Sequence, residues 1–547
     1  MKGLMMDYQL TLPAILRRVE TLYGAKKVVT RLPDKSFHRY SYADFVRRTK
    51  KLAVALQQIG VKAGDRVATL CWNHYQHLEA YFGIPAFGAV LHTLNIRLHP
   101  DDLVYIIGHA GDKAILVDQM LLPLFDKFRS RLNIEHVVAI FQDGEAPEGM
   151  HDYERLLDQA DESEFEYLDL DEKEAAGMCY TSGTTGRPKG VLYTHRGIAL
   201  HSLGIATPDV LGIRESDVIL PVVPMFHANA WGLPFAAALL GASQVFPGSY
   251  MDPLSLLEAL QAEKVTVTAG VPTVWLGVLE VLDVNPKAYD LSSVRAVLVG
   301  GSAAPKSLIQ AFEERHGLRM IHAWGMTETG PCASLSSLNA ELQKAPSDVQ
   351  FEYRAKQGLP LPFVEIRAIG DEGPVPWDGK TMGEIELCGP WIAKAYYNSP
   401  EAADRFAEDG WLRTGDIATI DRRGYIELTD RTKDLVKSGG EWISSVALES
   451  ALMGHPAVAE AAVIAVPHPK WQERPLAVVA LKEGQTVTAD ELRAYLEPNF
   501  AKWWLPDAIE FVEEIPRTTV GKFMKSALRE EFRDYHFPDA SRGAEGS

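Results

Sequence analysis

The sequence predicts an α/β protein: a large N-terminal body of βαβ-type sheets, a β-rich subdomain, and a small, mobile α+β domain at the C-terminal end. Helix and strand patterns alternate through residues 1–170 and again over 218–301, which is typical of a largely parallel sheet. Short strand patterns separated by turn residues follow from Gly383 to Tyr425. A charged and glycine-rich boundary lies near Asp430 to Gly440. We therefore expect a body over residues 1–430, a hinge over 431–437 and a small C-terminal domain over 438–547.

Each element of the body has its own local signal. Ser41 and Asp44 are spaced as a helix cap, and apolar residues then recur with a helical period. Apolar runs rich in β-branched residues predict buried strands, and Pro305 suits the first position of a helix. The predicted elements are a helix from Ser41 to Gly60, a strand over 66–70, a helix over 77–87, strands over 218–223, 265–268 and 294–299, and a helix that Pro305 starts.

The C-terminal unit has equally local signals. Thr488 followed by Glu491 predicts a capped helix, and two long apolar runs predict paired strands. A small lid on a large body is the simplest arrangement. The unit is expected to contain a helix over 445–452, strands over 461–466 and 476–481, the helix capped by Thr488, a strand over 509–512 and a last helix after Gly521.

Composition narrows the class of protein. The net charge of −18 argues against nucleic acid as a partner, because a negatively charged protein repels the phosphate backbone. The longest apolar stretch, Trp231 to Ala242, contains a proline and is too short to span a bilayer. The N-terminus has no apolar signal segment, so we expect a cytoplasmic protein. The four cysteines are far apart and predict reduced, mostly buried thiols.

The segment Tyr180–Val191, Y-T-S-G-T-T-G-R-P-K-G-V, is typical of a loop that wraps phosphates. Its glycines let backbone N–H groups approach an anion, its hydroxyls add donors, and Lys189 adds a positive charge. Apolar runs on both sides predict that two strands hold it. It is not a Walker A loop, because no hydroxyl follows the lysine and Val191 begins a strand pattern. A P-loop kinase or ATPase is therefore disfavoured.

Four ordered motifs and a lysine then identify a family resemblance. The chain resembles the adenylate-forming superfamily of acyl-CoA synthetases, luciferases and peptide-synthetase adenylation domains. Within it, the stretches 224–231 and 437–445 are most similar to bacterial medium- and long-chain fatty acyl-CoA synthetases, and methylmercaptopropionate-CoA ligases are closely similar. The resemblance covers essentially the whole chain. The four motifs are Tyr180–Gly190, His322–Thr329, Trp411–Asp416 and Asp430–Asp434, and the lysine is Lys522 at the end of Pro516–Lys522.

The resemblance implies an ATP-dependent acid:CoA ligase that forms acyl-AMP and pyrophosphate and then acyl-CoA and AMP. The acid would be a medium- to long-chain fatty acid, with 3-methylmercaptopropionate as the alternative. The implied cofactors are ATP, Mg²⁺ and coenzyme A as co-substrate. The partners would be these small molecules and a second copy of the chain in a homodimer.

The resemblance also implies roles for individual residues in the nucleotide site. Lys522 would neutralise charge between the carboxylate and the α-phosphate, and Thr184 and Glu328 would bind Mg²⁺ and assist catalysis. Asp416 would accept hydrogen bonds from the ribose hydroxyls, and Trp324, where the family more often has tyrosine, would stack on adenine. The implied nucleotide contacts are Thr181, Ser182, Gly183, Thr184, Thr185, Gly186, Lys189, Gly301, Ser302, Ala303, His322, Trp324, Gly325, Met326, Thr327, Asp416, Arg431 and Lys522.

The acyl, CoA and hinge positions follow from the same resemblance. Gly300 and Gly301 would leave room for an acyl chain because they lack side chains, and His227 would line the pocket rather than act as an acid or base. Lys433 would be the hinge. The implied acyl contacts are His227, Trp231, Gly300, Gly301 and the gate residue Trp442, and the implied CoA contacts are Lys437, Gly439, Gly440 and Glu441.

Structural interpretations stand beside these roles. Asp416 after Thr-Gly could be a turn residue, Trp324 a core residue, and Lys522 the start of the last helix, although a cation there opposes the helix dipole. Three other functions also remain open. An adenylation domain would need a downstream carrier, and the chain ends 25 residues after Lys522. A luciferase-type oxygenase shares the adenylation half-reaction, and a non-enzymatic module would be expected to lose Lys522, Glu328 or Asp416.

Overall fold

The fold consists of two large sheets with helices between and around them, followed by two smaller sheets. The computed structural model describes residues 1, 3–141, 146–181, 187–370, 372–431, 434–438, 441–517 and 523–537, without the side chains of residues 431, 437, 441 and 442. Within this part of the chain, the helices alternate with parallel strands through the body, which confirms the predicted α/β class.

The first large sheet has seven strands. Its strands run parallel except for the last pair, where Ala175–Tyr180 and Gly190–Thr194 are antiparallel. That pair holds the two ends of the predicted phosphate loop, as the apolar flanks indicated. The strand order is His151–Asp152, His136–Ile140, Asp112–Asp118, Arg66–Leu70, Val90–Thr93, Ala175–Tyr180 and Gly190–Thr194.

The second large sheet has nine strands, parallel in its centre and antiparallel at both edges. In its centre Gly270 pairs with Val299, and Val299 pairs with His322, so the carboxyl ends of three strands lie side by side. Ligands of such sheets bind at this edge. The strand order is Leu359–Pro360, Cys332–Leu335, Met320–Gly325, Ala296–Val299, Val267–Gly270, Val218–Pro221, Ser243–Phe246, Lys27–Arg31 and Phe37–Ser41.

A layer of helices separates these two sheets. The helix Tyr75–Ala86 is buried on all sides after its first residue, because one hydrophobic core joins Val67 of the first sheet to Val28 of the second. The helices of the body are Leu12–Leu22, Tyr42–Gln58, Tyr75–Ala86, Pro100–Ala110, Leu122–Phe125, Tyr153–Gln159, His195–Ala206, Leu233–Leu240, Pro253–Ala262, Pro272–Val284, Lys306–His316 and Ser347–Ala355.

Two five-stranded sheets complete the molecule. The third sheet is antiparallel and forms the predicted β-rich subdomain, with the order Gly373–Pro374, Glu365–Gly370, Gly383–Cys388, Leu412–Ile420 and Ile426–Arg431. The fourth contains Glu441–Ile443, Val436–Ser438, Gln472–Leu481, Val458–His468 and Ala508–Val512, and it packs with helices Ser445–Met453, Ala489–Leu496 and Lys525–Glu531. The chain leaves one sheet at Arg431 and enters the next at Val436.

Capping signals located the helices well. Ser41 and Asp44 exchange hydrogen bonds of 3.1 and 3.2 Å between side chain and backbone, and Thr488 and Glu491 form the same reciprocal cap. The predicted start of one helix is wrong by one residue. Pro305 is the cap and the helix begins at Lys306, because the ψ of Pro305 is extended at 141°. Strands 294–299 and 265–268 are also shifted, to Ala296–Val299 and Val267–Gly270.

The structure bears on two predictions made from composition, the state of the cysteines and the lack of a membrane-spanning helix. The cysteines are free thiols, and Cys71, Cys179 and Cys332 are buried while Cys388 is partly exposed. Among the described residues, no helix is both long and apolar enough to cross a bilayer.

Candidate functional site

The two ends of the glycine-rich loop are tied together. The backbone N–H of Thr181 donates to the carbonyl of Lys189 (2.9 Å), and the N–H of Lys189 donates to the hydroxyl of Thr181 (3.1 Å). Residues 182–186 between them, with the predicted contacts Ser182, Gly183, Thr184, Thr185 and Gly186, lie outside the described residues. Thr181 therefore fixes the base of the loop through its side chain as well as its backbone.

A tyrosine joins Glu328 to Lys189. The hydroxyl of Tyr396 donates a 2.5 Å hydrogen bond to Glu328, whose side chain is buried, and the ammonium of Lys189 lies 5.8 Å from the centre of the same ring. Burial and the adjacent Glu328 carboxylate both raise the pKa of Tyr396, so its hydroxyl stays protonated and remains a donor. The predicted metal ligand and the predicted phosphate-binding lysine thus meet at one side chain that the sequence did not single out.

A cavity of about 270 Å³ opens at the carboxyl edge of the nine-stranded sheet. Its wall includes seven of the predicted nucleotide contacts: three in the loop after strand Ala296–Val299, three on strand Met320–Gly325 of the second sheet, and Asp416 on the third sheet. Residues of the C-terminal unit close its other side. The predicted contacts in the wall are Gly301, Ser302, Ala303, His322, Trp324, Gly325 and Asp416.

Trp324 and Asp416 meet inside this cavity. The indole Nε1–H of Trp324 donates to Oδ2 of Asp416 at 3.0 Å, although 92 residues separate them. The exposed fraction is only 8% for Trp324 and 3% for Asp416. Asp416 lies directly opposite Arg431 in the strand ladder, which places the backbone of the predicted ribose-contact arginine beside it. The side chain of Arg431 is outside the description.

His322 lines the cavity, and both of its ring nitrogens bond to the backbone, so its nucleotide contact stays a prediction. Its Nδ1–H donates to the carbonyl of Ala355 (2.8 Å), and its Nε2 accepts from the N–H of Ala304 (3.4 Å). Burial lowers the pKa of His322, which keeps the ring neutral and suits this pattern of one donor and one acceptor. His322 therefore holds the loop that contains Ser302 and Ala303, and it reaches the cavity only as part of its wall.

Met326 and Thr327 form the turn that presents Glu328. The N–H of Met326 donates to the hydroxyl of Thr329 (2.7 Å), and the carbonyl of Thr327 accepts from Tyr193 (2.7 Å). Gly325 precedes the turn, and a Cβ there would lie 1.9 Å from the carbonyl oxygen of Pro331. Glycine is therefore required for the backbone of this turn to pack.

The C-terminal unit contributes a buried charge cluster to the cavity. Lys525 lies 2.6 Å from the carboxylate of Glu449 and donates to the hydroxyl of Ser445 (2.5 Å). Burial raises the pKa of Glu449 to about 7, and Lys525 opposes that rise. Burial alone would lower the pKa of Lys525. The neighbouring carboxyl groups have the larger combined effect, so the pKa of Lys525 is raised. Lys525 is thus a cation that already has close contacts within the C-terminal unit.

The junction between the two parts is closed by polar contacts. The N–H of Ser445 donates to Asp430 (2.7 Å), and Arg529 forms a 2.6 Å ion pair with Asp434. Phe523 and Met524, the two residues that follow Lys522, line the same cavity as Trp324. This orientation of the C-terminal unit brings the start of its last helix over the cavity.

The predicted acyl region has a strained backbone. Residues Ala228 to Trp231 all have positive φ, between 37° and 56°, and form one left-handed turn. Positive φ is sterically unfavourable for residues that carry a Cβ. Backbone strain of this kind concentrates at functional sites. The thiol of Cys179 donates to Asn229 in this turn (3.0 Å). His227 caps the turn and lines a small cleft with Phe226 and Thr181.

In this conformation Trp231 lies beside Gly300 and Gly301, and their role in making room for an acyl chain stays a prediction. A Cβ on Gly300 would lie 2.7 Å from the carbonyl oxygen of Ala323 and 3.3 Å from the indole of Trp231. A Cβ on Gly301 would lie 3.6 Å from the same indole. The glycines are needed for close packing, and the Trp231 ring fills the space beside them.

Several predicted residues cannot be located. Lys433, Gly439, Gly440 and Lys522 lie outside the described residues. Lys437, Glu441 and Trp442 are described in backbone only, where Lys437 pairs with Trp442 in a short antiparallel ladder. Within the described residues, no group of three or more His, Cys, Asp or Glu side chains forms a metal cluster.

Comparisons with known proteins agree with this geometry. The chain matches the model of the AMP-binding enzyme family over residues 17–397 and the model of the AMP-binding enzyme C-terminal domain over residues 447–522. It is 51% identical to a long-chain-fatty-acid–CoA ligase of Thermus thermophilus, covering 97% of both chains. It is 41% identical to a 3-methylmercaptopropionyl-CoA ligase of Ruegeria pomeroyi, covering 98% of this chain and 99% of the relative.

The fold is similar to that of solved structures. A crystal structure of an anthranilate CoA ligase in complex with anthranoyl-AMP superposes with a TM-score of 0.85. It is 27% identical, and the match covers 97% of this chain and 99% of that one.

Proposed function

The chain belongs to the AMP-binding enzyme family, and on that premise we propose that it joins a medium- to long-chain fatty acid to coenzyme A through an acyl-adenylate. The observation that supports this most is the 51% identity, over 97% of both chains, to a long-chain-fatty-acid–CoA ligase. A second candidate substrate is 3-methylmercaptopropionate, because a ligase for its CoA ester is 41% identical over nearly the full length.

The proposed reaction solves one chemical problem in two steps. A carboxylate is a poor acyl donor because its oxygen would have to leave as oxide. When the carboxylate attacks the α-phosphate of ATP, pyrophosphate leaves and the same oxygen becomes part of AMP, a good leaving group. The thiol of coenzyme A then attacks the carbonyl carbon and releases AMP. Two anions meet in the first step, so fixed positive charge is required.

Trp324 and Asp416 would hold the nucleoside. The indole face would stack on adenine, and the carboxylate would accept hydrogen bonds from the ribose hydroxyls. Their joint presence in one cavity, in contact through a 3.0 Å hydrogen bond, supports this assignment. The residues Gly301 to Ala303 would form the opposite wall, and Arg431 would reach the ribose and phosphate.

Glu328 and Thr184 would hold Mg²⁺. The buried carboxylate of Glu328 fits a hard cation, which prefers oxygen ligands, and Tyr396 fixes its orientation. When bound with ATP, the ion would neutralise phosphate charge during the transfer. The loop from Thr181 through Gly186, with Lys189, would bind the β- and γ-phosphates and the departing pyrophosphate.

Lys522 would supply the charge at the reacting centre. Lys525 is the neighbouring alternative, but its ammonium already contacts Glu449 and Ser445. Phe523 and Met524 already line the cavity, which supports placing the preceding lysine at the nucleotide. After adenylation, rotation at Lys433 would bring Lys437, Gly439, Gly440 and Glu441 to the CoA path.

The acyl chain would enter beside the left-handed turn. Trp231 fills the space next to Gly300 and Gly301, so a chain that binds there requires its indole to turn away. His227 and the gate residue Trp442 would line the same path. We also propose that the enzyme is a cytoplasmic homodimer, as the family resemblance implies.

The test is an assay of the purified full-length protein with ATP, Mg²⁺, coenzyme A and acids from propionate to palmitate, including 3-methylmercaptopropionate. We expect pyrophosphate and acyl-CoA in equal amounts and the highest kcat/KM with a medium- to long-chain acid. Glu328→Gln should abolish the activity, which also excludes a contaminating ligase, and Glu341→Gln, at an exposed carboxylate on the same domain, is the matched control and should stay active.

Each other outcome identifies a different function. A sharp optimum at 3-methylmercaptopropionate selects the second candidate. Pyrophosphate release without a CoA thioester, for every acid, contradicts the ligase assignment and indicates a stand-alone adenylation domain.

A further inference from the structure

Asp416 is held by two separate sets of contacts, one to its backbone and one to its carboxylate. Its backbone is fixed by the turn before it: Gly415 has a φ of +73°, and the N–H of Asp416 donates to the hydroxyl of Thr414 (3.1 Å). That hydroxyl in turn donates to the carbonyl of Ile385 (2.7 Å). These bonds set the Cα position of Asp416 but leave the side-chain torsions undetermined.

The side chain is oriented from the opposite wall of the cavity. Trp324 belongs to the nine-stranded sheet and Asp416 to the five-stranded antiparallel sheet, and the Nε1–H···Oδ2 bond of 3.0 Å crosses between them. Both residues are almost fully buried. A charged acceptor with a neutral donor in a water-poor site makes a strong bond, so this contact selects one rotamer of the carboxylate.

Trp324 is itself rigidly placed. The strand register shifts between Trp324 and Gly325, and Trp324 pairs with Ser334 of the neighbouring strand. Close packing of Gly325 against Pro331 fixes the shift, because any side chain at 325 would collide with the Pro331 carbonyl. The indole N–H therefore comes from a fixed point on the backbone.

We propose that Trp324 is a positioning residue for ribose recognition, whose indole N–H orients the Asp416 carboxylate toward the nucleotide sugar. This inference rests on the proposed function and adds to it a role that stacking on adenine does not include. A carboxylate accepts about four hydrogen bonds, so the bond from Trp324 is compatible with bonds from ribose hydroxyls. Phenylalanine at 324 would keep an aromatic face and lose the donor.

The test is the ratio of the Kd values for ATP and 2′,3′-dideoxyATP, measured by titration calorimetry with Mg²⁺ present. In wild type, ATP should bind far more tightly than the dideoxy analogue. In Trp324→Phe, we expect ATP affinity to fall about tenfold, which is the effect expected from losing one hydrogen bond to a charged group. The affinity for the analogue should change less than about twofold, because the analogue lacks the ribose hydroxyls. The ratio of the two Kd values, which we call the ribose selectivity, therefore falls about tenfold.

Two further variants separate positioning from structural damage. Asp416→Asn should lose the same selectivity, and Trp324→Phe added to it should cause no additional loss, because both act through one contact. Trp275→Phe is the matched control: Trp275 is also buried, and its indole N–H donates to the carbonyls of Gly270 and Leu298 rather than to Asp416. Its ribose selectivity should equal that of wild type.

The outcomes separate this inference from the proposed function. Equal weakening of both nucleotides in Trp324→Phe, or additive losses in the double variant, overturns the positioning role. The acyl-CoA assay of wild type tests the reaction independently, since nucleotide binding is measured without turnover. Wild-type protein that binds both nucleotides equally also overturns the inference, whatever acid it activates.

Discussion

The hydroxyl of Tyr396 lies 2.5 Å from the carboxylate of Glu328, inside the body and away from solvent. Glu328 lies in a tight turn whose backbone is fixed by Thr329, and the Tyr396 hydroxyl orients its carboxylate. The same ring lies under the ammonium of Lys189. Tyr396 thus connects the proposed metal ligand to the proposed phosphate-binding lysine.

Tyr396→Phe should impair adenylation without disrupting the fold. The change removes a hydrogen bond to a charged group, whose contribution is about 1.5–3 kcal/mol, so kcat/KM for adenylation should fall at least about tenfold. Because the proposed metal carboxylate loses its orientation, the Mg²⁺ concentration for half-maximal rate should rise. Both are measured by pyrophosphate release across an Mg²⁺ titration.

The neighbouring Tyr397→Phe is the control, since its backbone bonds Gly190 while its ring packs near His109. An unchanged Mg²⁺ requirement in Tyr396→Phe would contradict the role given to this hydroxyl.

Local signals in the sequence predicted the elements and the ends of the phosphate loop. Caps such as Ser41 with Asp44 act between residues three apart, and the apolar runs around 180–191 fixed two strands. The residues in these patterns are close in sequence, so the patterns can be recognised without knowing the fold.

Contacts between distant elements could not be predicted in this way. The Trp324–Asp416 bond depends on how two sheets face each other, and the Tyr396–Glu328 bond joins residues 68 positions apart. His322 belongs to a motif predicted to bind the nucleotide, and only the fold shows that its ring nitrogens bond to the backbone of Ala304 and Ala355. The glycines at 300 and 301 indicated open space, which the Trp231 ring fills.

Glu449→Gln should change how stability depends on pH. Burial raises the pKa of Glu449 from 4.5 to about 7, against the pull of Lys525 and with a further rise from Asp430. Between pH 4.5 and 7, the unfolded chain loses this proton while the folded chain keeps it. Ionisation therefore favours unfolding, and stability contributed by the protonated form is lost as pH rises through this window.

Glutamine mimics the protonated acid and does not titrate. The midpoint temperature of wild type should therefore fall relative to that of Glu449→Gln from pH 4.5 to 7, and the difference should be constant above pH 7. Thermal unfolding of both proteins across this range provides the measurement. A difference that is flat from pH 4.5 to 8 would contradict the raised pKa.

Lys522→Ala should separate the two half-reactions. The proposed role is to neutralise charge as the carboxylate meets the α-phosphate, so removal should slow adenylation by roughly 100-fold or more with little change in ATP affinity. Thioester formation from pre-made acyl-AMP should be much less affected. Single-turnover assays of each half-reaction measure this, and Lys502→Ala, an exposed lysine of the same unit, is the control. Equal loss of both steps would remove Lys522 from the adenylation role.

Lys433→Pro should give the opposite result. In the proposed mechanism, Lys522 and the thiol of coenzyme A would need the same space at the carbonyl in successive steps, so the C-terminal unit would have to move after pyrophosphate leaves. The third sheet ends at Arg431 and the fourth begins at Val436, which puts Lys433 in the short connection that would absorb the rotation.

In the present orientation, contacts between Ser445 and Asp430 and between Arg529 and Asp434 hold the unit over the cavity. Proline fixes φ near −65° and removes a backbone donor, so it should block the rotation while leaving this orientation intact. Adenylation should continue at a rate within a few fold of wild type, and thioester formation should fall by roughly 100-fold, the size of effect expected when a conformational step is blocked. Lys433→Ala, which keeps backbone freedom, is the matched control and should retain both steps. Acyl-CoA formation at the wild-type rate in the proline variant would mean that this enzyme does not alternate domain orientations at residue 433.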